Sequence, residues 1–154
     1  NVRSYRPVTR IAICVGPHDL AEDIILRIAA TILTGHPPQV FLMPGLKSAT
    51  ETMLRQSDLH QCIHGKEHFA DEKLLIDKIE TGQVDRLRLS ATTKLSALVT
   101  AAAHQAGAAI IDAPVSFNGM VELAWYFREQ SLSVNYHRYG NLGTRSEESR
   151  SEPA

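Results

Sequence analysis

Hydrophobic positions along the chain alternate between two rhythms, short continuous runs and longer stretches at helical spacing. Residues 10–15 (Arg-Ile-Ala-Ile-Cys-Val) are apolar almost throughout and are closed by Gly16-Pro17. A short apolar run bounded by turn residues reads as a strand buried on both faces. Asp19 then opens a helix with Glu22 three residues on, the spacing of a capping box. Leu20, Ile24, Ile28, Ile32 and Leu33 follow at helical spacing until Gly35 and Pro37-Pro38 stop the run. The unit then repeats in kind. Strands are expected at residues 39–43, 61–64, 84–89 and 108–112, the last as the most buried after the first. Helices are expected at 47–56, 68–80 (with Leu74, Leu75 and Ile79 inward), 94–105 and 118–129, and a closing extended segment at 131–136.

Strands that alternate with helices of about ten to sixteen residues form βαβ units, whose right-handed crossovers give a parallel sheet covered on both faces. The expected class is therefore α/β, as a three-layer, Rossmann-like, doubly wound and mainly parallel sheet. The 154 residues suit a single domain with a core of its own. Residues 1–8 read as a linker, 9–143 as the domain and 144–154, which lack an anchoring apolar side chain, as a disordered tail. Sixteen Lys and Arg against 17 Asp and Glu leave no basic excess for nucleic acid. No apolar run reaches the roughly 20 residues of a membrane span. Cys14 and Cys62 are too far apart in sequence to suggest a metal-ligand pair, and nothing points to a disulfide-built chain. The chain begins at Asn1 without a signal-type start, so it is expected to be a cytoplasmic piece of a longer protein.

Candidate chemistry is thin. A dinucleotide loop at the first turn would need several glycines, but Gly16 stands alone, Pro17 removes an N–H and Asp19 puts a negative charge where phosphate would go. A capped helix start accounts for that turn better. His60, His64 and His68 recur every fourth residue, yet Gly65 argues against one continuous helix there, and solvated loop histidines are the plainer reading. Cys14 should be an inert buried thiol, and Cys62 lacks a basic helix-start environment. Arg86 and Arg88 alternate with Leu87 and Leu89, which points to a strand at the sheet edge or with one open face. Neither a G-x-S-x-G elbow nor a phosphate-binding P-loop occurs. These features give no catalytic, cofactor-binding or metal-binding residue.

Residues 128–145 differ in kind, being dense in Arg, Asn, Gly and aromatic side chains just after the last core helix. Tyr136, His137 and Tyr139 offer flat surfaces with polar ends, which suits docking on another surface. Here the chain resembles a known family. Residues 128–135, Arg-Glu-Gln-Ser-Leu-Ser-Val-Asn, are similar to the carboxy-terminal motif of the longer bifunctional proline-utilisation flavoenzymes (proline utilization A), which reads approximately E-R-S-L-S-V-N before a run of small residues. The first strand and helix, ending Ala29-Ala-Thr-Ile-Leu-Thr-Gly35, resemble the start of that family's C-terminal domain. The Ala-rich helix and Ala109-Ile-Ile-Asp112 follow in the same order, so the likeness runs from about residue 10 to residue 143. It is specific at the terminal motif. Two departures stand out. Tyr136-His-Arg-Tyr-Gly-Asn-Leu-Gly143 replaces small residues, and Arg86 and Arg88 stand where the family is apolar.

The resemblance implies a non-catalytic domain of the aldehyde dehydrogenase superfamily that binds no cofactor itself. FAD and NAD would belong to the parent enzyme, which oxidises proline through pyrroline-5-carboxylate and L-glutamate gamma-semialdehyde to glutamate. The implied partner is the NAD-dependent aldehyde dehydrogenase module of the same polypeptide, with a homodimer as a further partner. The implied docking and channel-lid residues are Ser131, Leu132, Ser133, Val134 and Asn135, with Gly140 and Asn141 as looser matches. Tyr136, His137, Arg138 and Tyr139 complete the 128–143 docking segment by position. Two alternatives remain from the residues alone, a nucleotide-binding domain using the Gly16 turn and an oligomerisation or assembly domain.

Overall fold

Six strands and five helices carry the chain through residues 2–46, 48–56 and 71–132, which are the residues described by the computed structural model. They are β1 (Val2–Pro7), β2 (Ile11–Val15), α1 (Ala21–Leu33), β3 (Gln39–Leu42), α2 (Ser48–Gln56), α3 (Glu72–Glu80), β4 (Arg86–Arg88), α4 (Ala97–Ala106), β5 (Ala109–Ile111), α5 (Gly119–Ala124) and β6 (Phe127–Leu132). The expected strand at 61–64, the head of the helix expected at 68–80, and the tail lie outside the described residues.

The protein is of the α/β class. Four parallel strands form one sheet in the order β3-β2-β4-β5, with Ile13 opposite Val40 on one side and Arg88 on the other. Because β2 is buried along its whole length, alternate residues feed two cores. Ala12 and Cys14 join Phe41, Leu87 and Leu89 against Leu75 and Ile79 of α3 and Val99, Ala102 and Ala103 of α4. Ile11, Ile13 and Val15 join Val40 against Ile24 and Ile28 of α1, Leu54 of α2 and Tyr126. Helices thus cover both faces. No helix among the described residues is long and apolar enough to cross a membrane.

A second sheet stands apart from the first. Strands β1 and β6 pair antiparallel from Val2↔Leu132 to Pro7↔Phe127 and make a two-stranded ribbon. Its twelve residues are exposed except Ser4 and Phe127, which are half-buried. The sequence pattern marks no strand before residue 10, because residues 2–7 (Val-Arg-Ser-Tyr-Arg-Pro) show neither an apolar run nor a partner nearby in the chain.

Several expectations need correction. Strand β4 is central, flanked by β2 and β5, so Arg86 and Arg88 do not mark an edge. The edges are β3 and β5, and in β5 Ala109 is exposed and Ile110 and Ile111 are half-buried, so this strand is not the second most buried. Helix α5 stops at Ala124 instead of continuing to residue 129. The segment expected to finish it is recruited into β6 by pairing with β1. The buried stripe of α1 is Ile24, Arg27, Ile28 and Thr31, while Leu20, Ile32 and Leu33 are exposed.

Candidate functional site

In a parallel sheet, ligands usually sit outside the carboxyl ends of the strands where the strand order reverses. Here the chain runs from β2 outward to β3 and then returns to β4 on the other side, so the reversal lies between β2 and β4. The loops at that point are 16–20 and 89–96. They are closed over a buried polar cluster.

Asp19 is the centre of it. Its side chain is fully buried and forms an ion pair with Arg27, equally buried on α1. Ser90 and Thr93 donate their hydroxyls to the other carboxylate oxygen, and Thr92 reaches it at 3.4 Å. Arg27 also donates to the Cys14 carbonyl at 2.7 Å and to the Asp23 carbonyl at 3.1 Å. Burial raises the Asp19 pKa, but Arg27 and the two hydroxyls lower it more, and the carboxyl is held below its ordinary value. The helix therefore starts differently from the capping box expected for it. Leu20, whose side chain has no acceptor, is the N-cap, and the Asp19 carboxylate is bonded to Arg27 instead.

Gly16 explains how the two loops approach each other. A Cβ on Gly16 would lie 2.6 Å from Thr93 Oγ1, so no side chain fits there without displacing Thr93 from Asp19. Cys14 lies beneath, fully buried. Burial pushes its thiol up to about 12 against the weaker lowering effect of Arg27, so it is a poor nucleophile at neutral pH.

A second buried network joins the next strands along. Arg88 presents Nε and Nη2 to Glu122 of α5 at 3.0 and 2.8 Å and donates to the Ala113 carbonyl at 2.7 Å. Glu122 also accepts the Tyr126 hydroxyl and the Ser116 N–H, each at 3.0 Å. Burial first, and then the Glu122 carboxylate, push the Tyr126 phenol above its ordinary range. This is why a central strand tolerates Arg88: its charge is matched and its donors find acceptors. The sequence signal for both networks was an arginine inside an apolar run, Arg27 among isoleucines and Arg88 among leucines. What it lacked was the partner, 34 residues away in the case of Glu122.

The chemistry of these clusters is structural, since their carboxylates are buried and already bonded. Among the described residues no group of three or more His, Cys, Asp and Glu could hold a metal ion. The histidine series His60, His64, His68 and Cys62 lie outside the described residues.

Of the residues expected to dock, Ser131 and Leu132 form the end of β6 at the tip of the ribbon, opposite Arg3 and Val2. Ser133 through Asn141 lie outside the described residues. The ribbon is held at its root by Asp85 and Arg86, which precede and begin β4. Asp85 Oδ2 accepts from Arg10 at 2.9 Å and from Arg128 of β6 at 2.8 Å. Arg86 Nη1 donates to the carbonyls of Trp125 and Phe127. Arg86, expected at a sheet edge, instead fastens the ribbon to the sheet. Comparison with protein-family models, with curated proteins and with solved structures finds no match to this chain.

Proposed function

We propose that the chain is a non-catalytic supporting domain of a proline-catabolic oxidoreductase, Rossmann-like and doubly wound in build. In this reading it packs on the NAD-dependent aldehyde dehydrogenase module of the same polypeptide and helps seal the channel that carries pyrroline-5-carboxylate to it. FAD and NAD belong to the enzyme modules.

One observation carries the reading. The segment that begins the family-like motif, residues 128–132, is a strand of a ribbon that stands off the main sheet with both outer edges unpaired among the described residues. Two strands alone are marginal in water, and free edges are templates for pairing with another chain. Val2, Tyr5 and Leu132 are exposed on it, and Leu132 has 60% of its surface open. Such a ribbon gains most by lying against a neighbouring module. The buried Asp19–Arg27 pair adds support, because the turn that would hold a nucleotide phosphate is filled by the chain's own carboxylate.

The mechanism is exclusion. A docked ribbon and the residues after it keep a reactive intermediate from bulk water, as an active-site lid does. Deleting residues 131–143 in the polypeptide that carries this domain should lengthen the lag before NADH appears from proline, with each half-reaction assayed alone unchanged. A lag equal to that of the intact enzyme would remove the lid role.

A further inference from the structure

The ribbon has two unlike faces. Side chains directly opposite one another project to the same side, so Val2, Ser4, Arg6, Arg128, Gln130 and Leu132 share one face, and Arg3, Tyr5, Ser131 and Glu129 lie on the other. On the second face Arg3 has its own carboxylate, Glu129, at 3.6 Å. The first face carries two arginines and no carboxylate.

Those two arginines, Arg6 and Arg128, are cross-strand partners. Like charges placed directly opposite destabilise a strand pair. Their side chains diverge accordingly. Arg6 Nε donates at 2.7 Å to Gln130, toward the tip, while Arg128 reaches down to Asp85 at the root. Arg10 converges on the same Asp85 oxygen, and Arg86 begins β4 beside it. Arg10 and Arg128 therefore share one carboxylate, with Arg86 beside it, while Arg6 on the same face has no carboxylate partner. Within this cluster two buried polar atoms have no hydrogen-bond partner, Asp85 Oδ1 and Arg86 Nε. Burial and then the repulsion of Arg128 lower the Arg86 pKa against the opposing pull of Asp85, so the local excess of positive charge is felt inside the cluster. Such an excess has no counterpart elsewhere on the ribbon.

We infer that the Arg6–Arg128 face at the ribbon root is a docking site for an acidic protein segment, whose carboxylates pair with Arg6 and Arg128 while apolar side chains meet Val2 and Leu132 at the tip. The inference rests on the docking role proposed above and names the chemistry of the surface it meets. Charge complementarity selects this occupant. The planar fork of arginine suits carboxylates, and the apolar tip favours a protein surface over a free anion.

The test uses the 154-residue chain and a hexaglutamate peptide at low salt, followed through the arginine side-chain Nε–Hε NMR signals. Hexaglutamate should shift the signals of Arg6 and Arg128, hexaglutamine should not, and about 1 M salt, which screens beyond roughly 3 Å, should abolish the effect. Arg6→Gln should weaken binding about fivefold, as expected for one exposed charge pair, and Arg6→Lys should retain most of it. Arg3→Gln is the control, since it removes the same charge from the opposite face of the same strand. No shift with hexaglutamate overturns the inference. An equal loss in Arg3→Gln overturns it too, because the attraction would then be diffuse. Inorganic phosphate that saturates the same signals at the same concentration would replace the acidic segment with a free anion. A lengthened lag on deleting residues 131–143 with no hexaglutamate binding would leave the lid and remove this site. Binding with an unchanged lag would do the reverse.

Discussion

Asp19 shows how a single side chain can close the place where a parallel sheet usually opens to a ligand. Its depressed pKa means that the folded state holds the ionised carboxylate more firmly than the unfolded chain does. Stability from that source is fully present above the ordinary Asp pKa of about 3.9 and is lost as pH falls through the lower folded value. Urea midpoints measured across pH should therefore show a steep acid limb below about pH 4 in the intact protein. Asp19→Asn should cost about 3–5 kcal/mol at neutral pH, because Arg27 is left buried without its countercharge, and should flatten that limb. Parallel acid limbs in the two proteins would show that the carboxylate does not carry the effect. Arg88 and Glu122 form a second buried pair, in which removing either partner would leave the other's charge buried and unmatched.

At the scale of elements, helix ends follow local chemistry closely. Asp71, Ser96 and Asn118 each cap a helix through the side chain, and Gly107 ends α4 in the left-handed region at φ 68°. Gly107→Ala should destabilise by about 1 kcal/mol through backbone strain alone, since an added Cβ meets nothing within 4 Å there. Chemical denaturation checks it, and a neutral result would mean that α4 ends differently in solution. Legibility in the sequence tracks this distinction between near and far causes. Strand β2 and helix α4 could be read because a continuous apolar run, or Ala-rich spacing closed by Gly107, is a property of neighbouring residues. The place of β4 could not, because Arg86 and Arg88 become tolerable only when Trp125, Phe127 and Glu122 arrive more than thirty residues later. The first half of β6, residues 127–129, reads as the end of a helix for a related reason. Phe127-Arg-Glu-Gln has no strand pattern of its own and is extended because β1 offers it a ladder. At the candidate site, the presentation of residues 128–132 on a ribbon, with Asp85 and Arg86 as fasteners, depends on contacts between distant segments.

At the scale of the whole molecule, the ribbon pairs one end of the described chain with the other, and Val2 and Leu132 lie side by side at its tip. That arrangement has a mechanical consequence. A pull applied between these two residues loads the ladder one hydrogen bond at a time, from tip to root, instead of shearing all of its bonds together. In single-molecule stretching between positions 2 and 132 the ribbon should yield first and at low force, releasing about 40 Å of chain before the parallel sheet is strained. A first event that also consumes the sheet would contradict this order. The root, where Arg10 and Arg128 share Asp85, is then the last part of the ribbon to yield before the load passes to the parallel sheet.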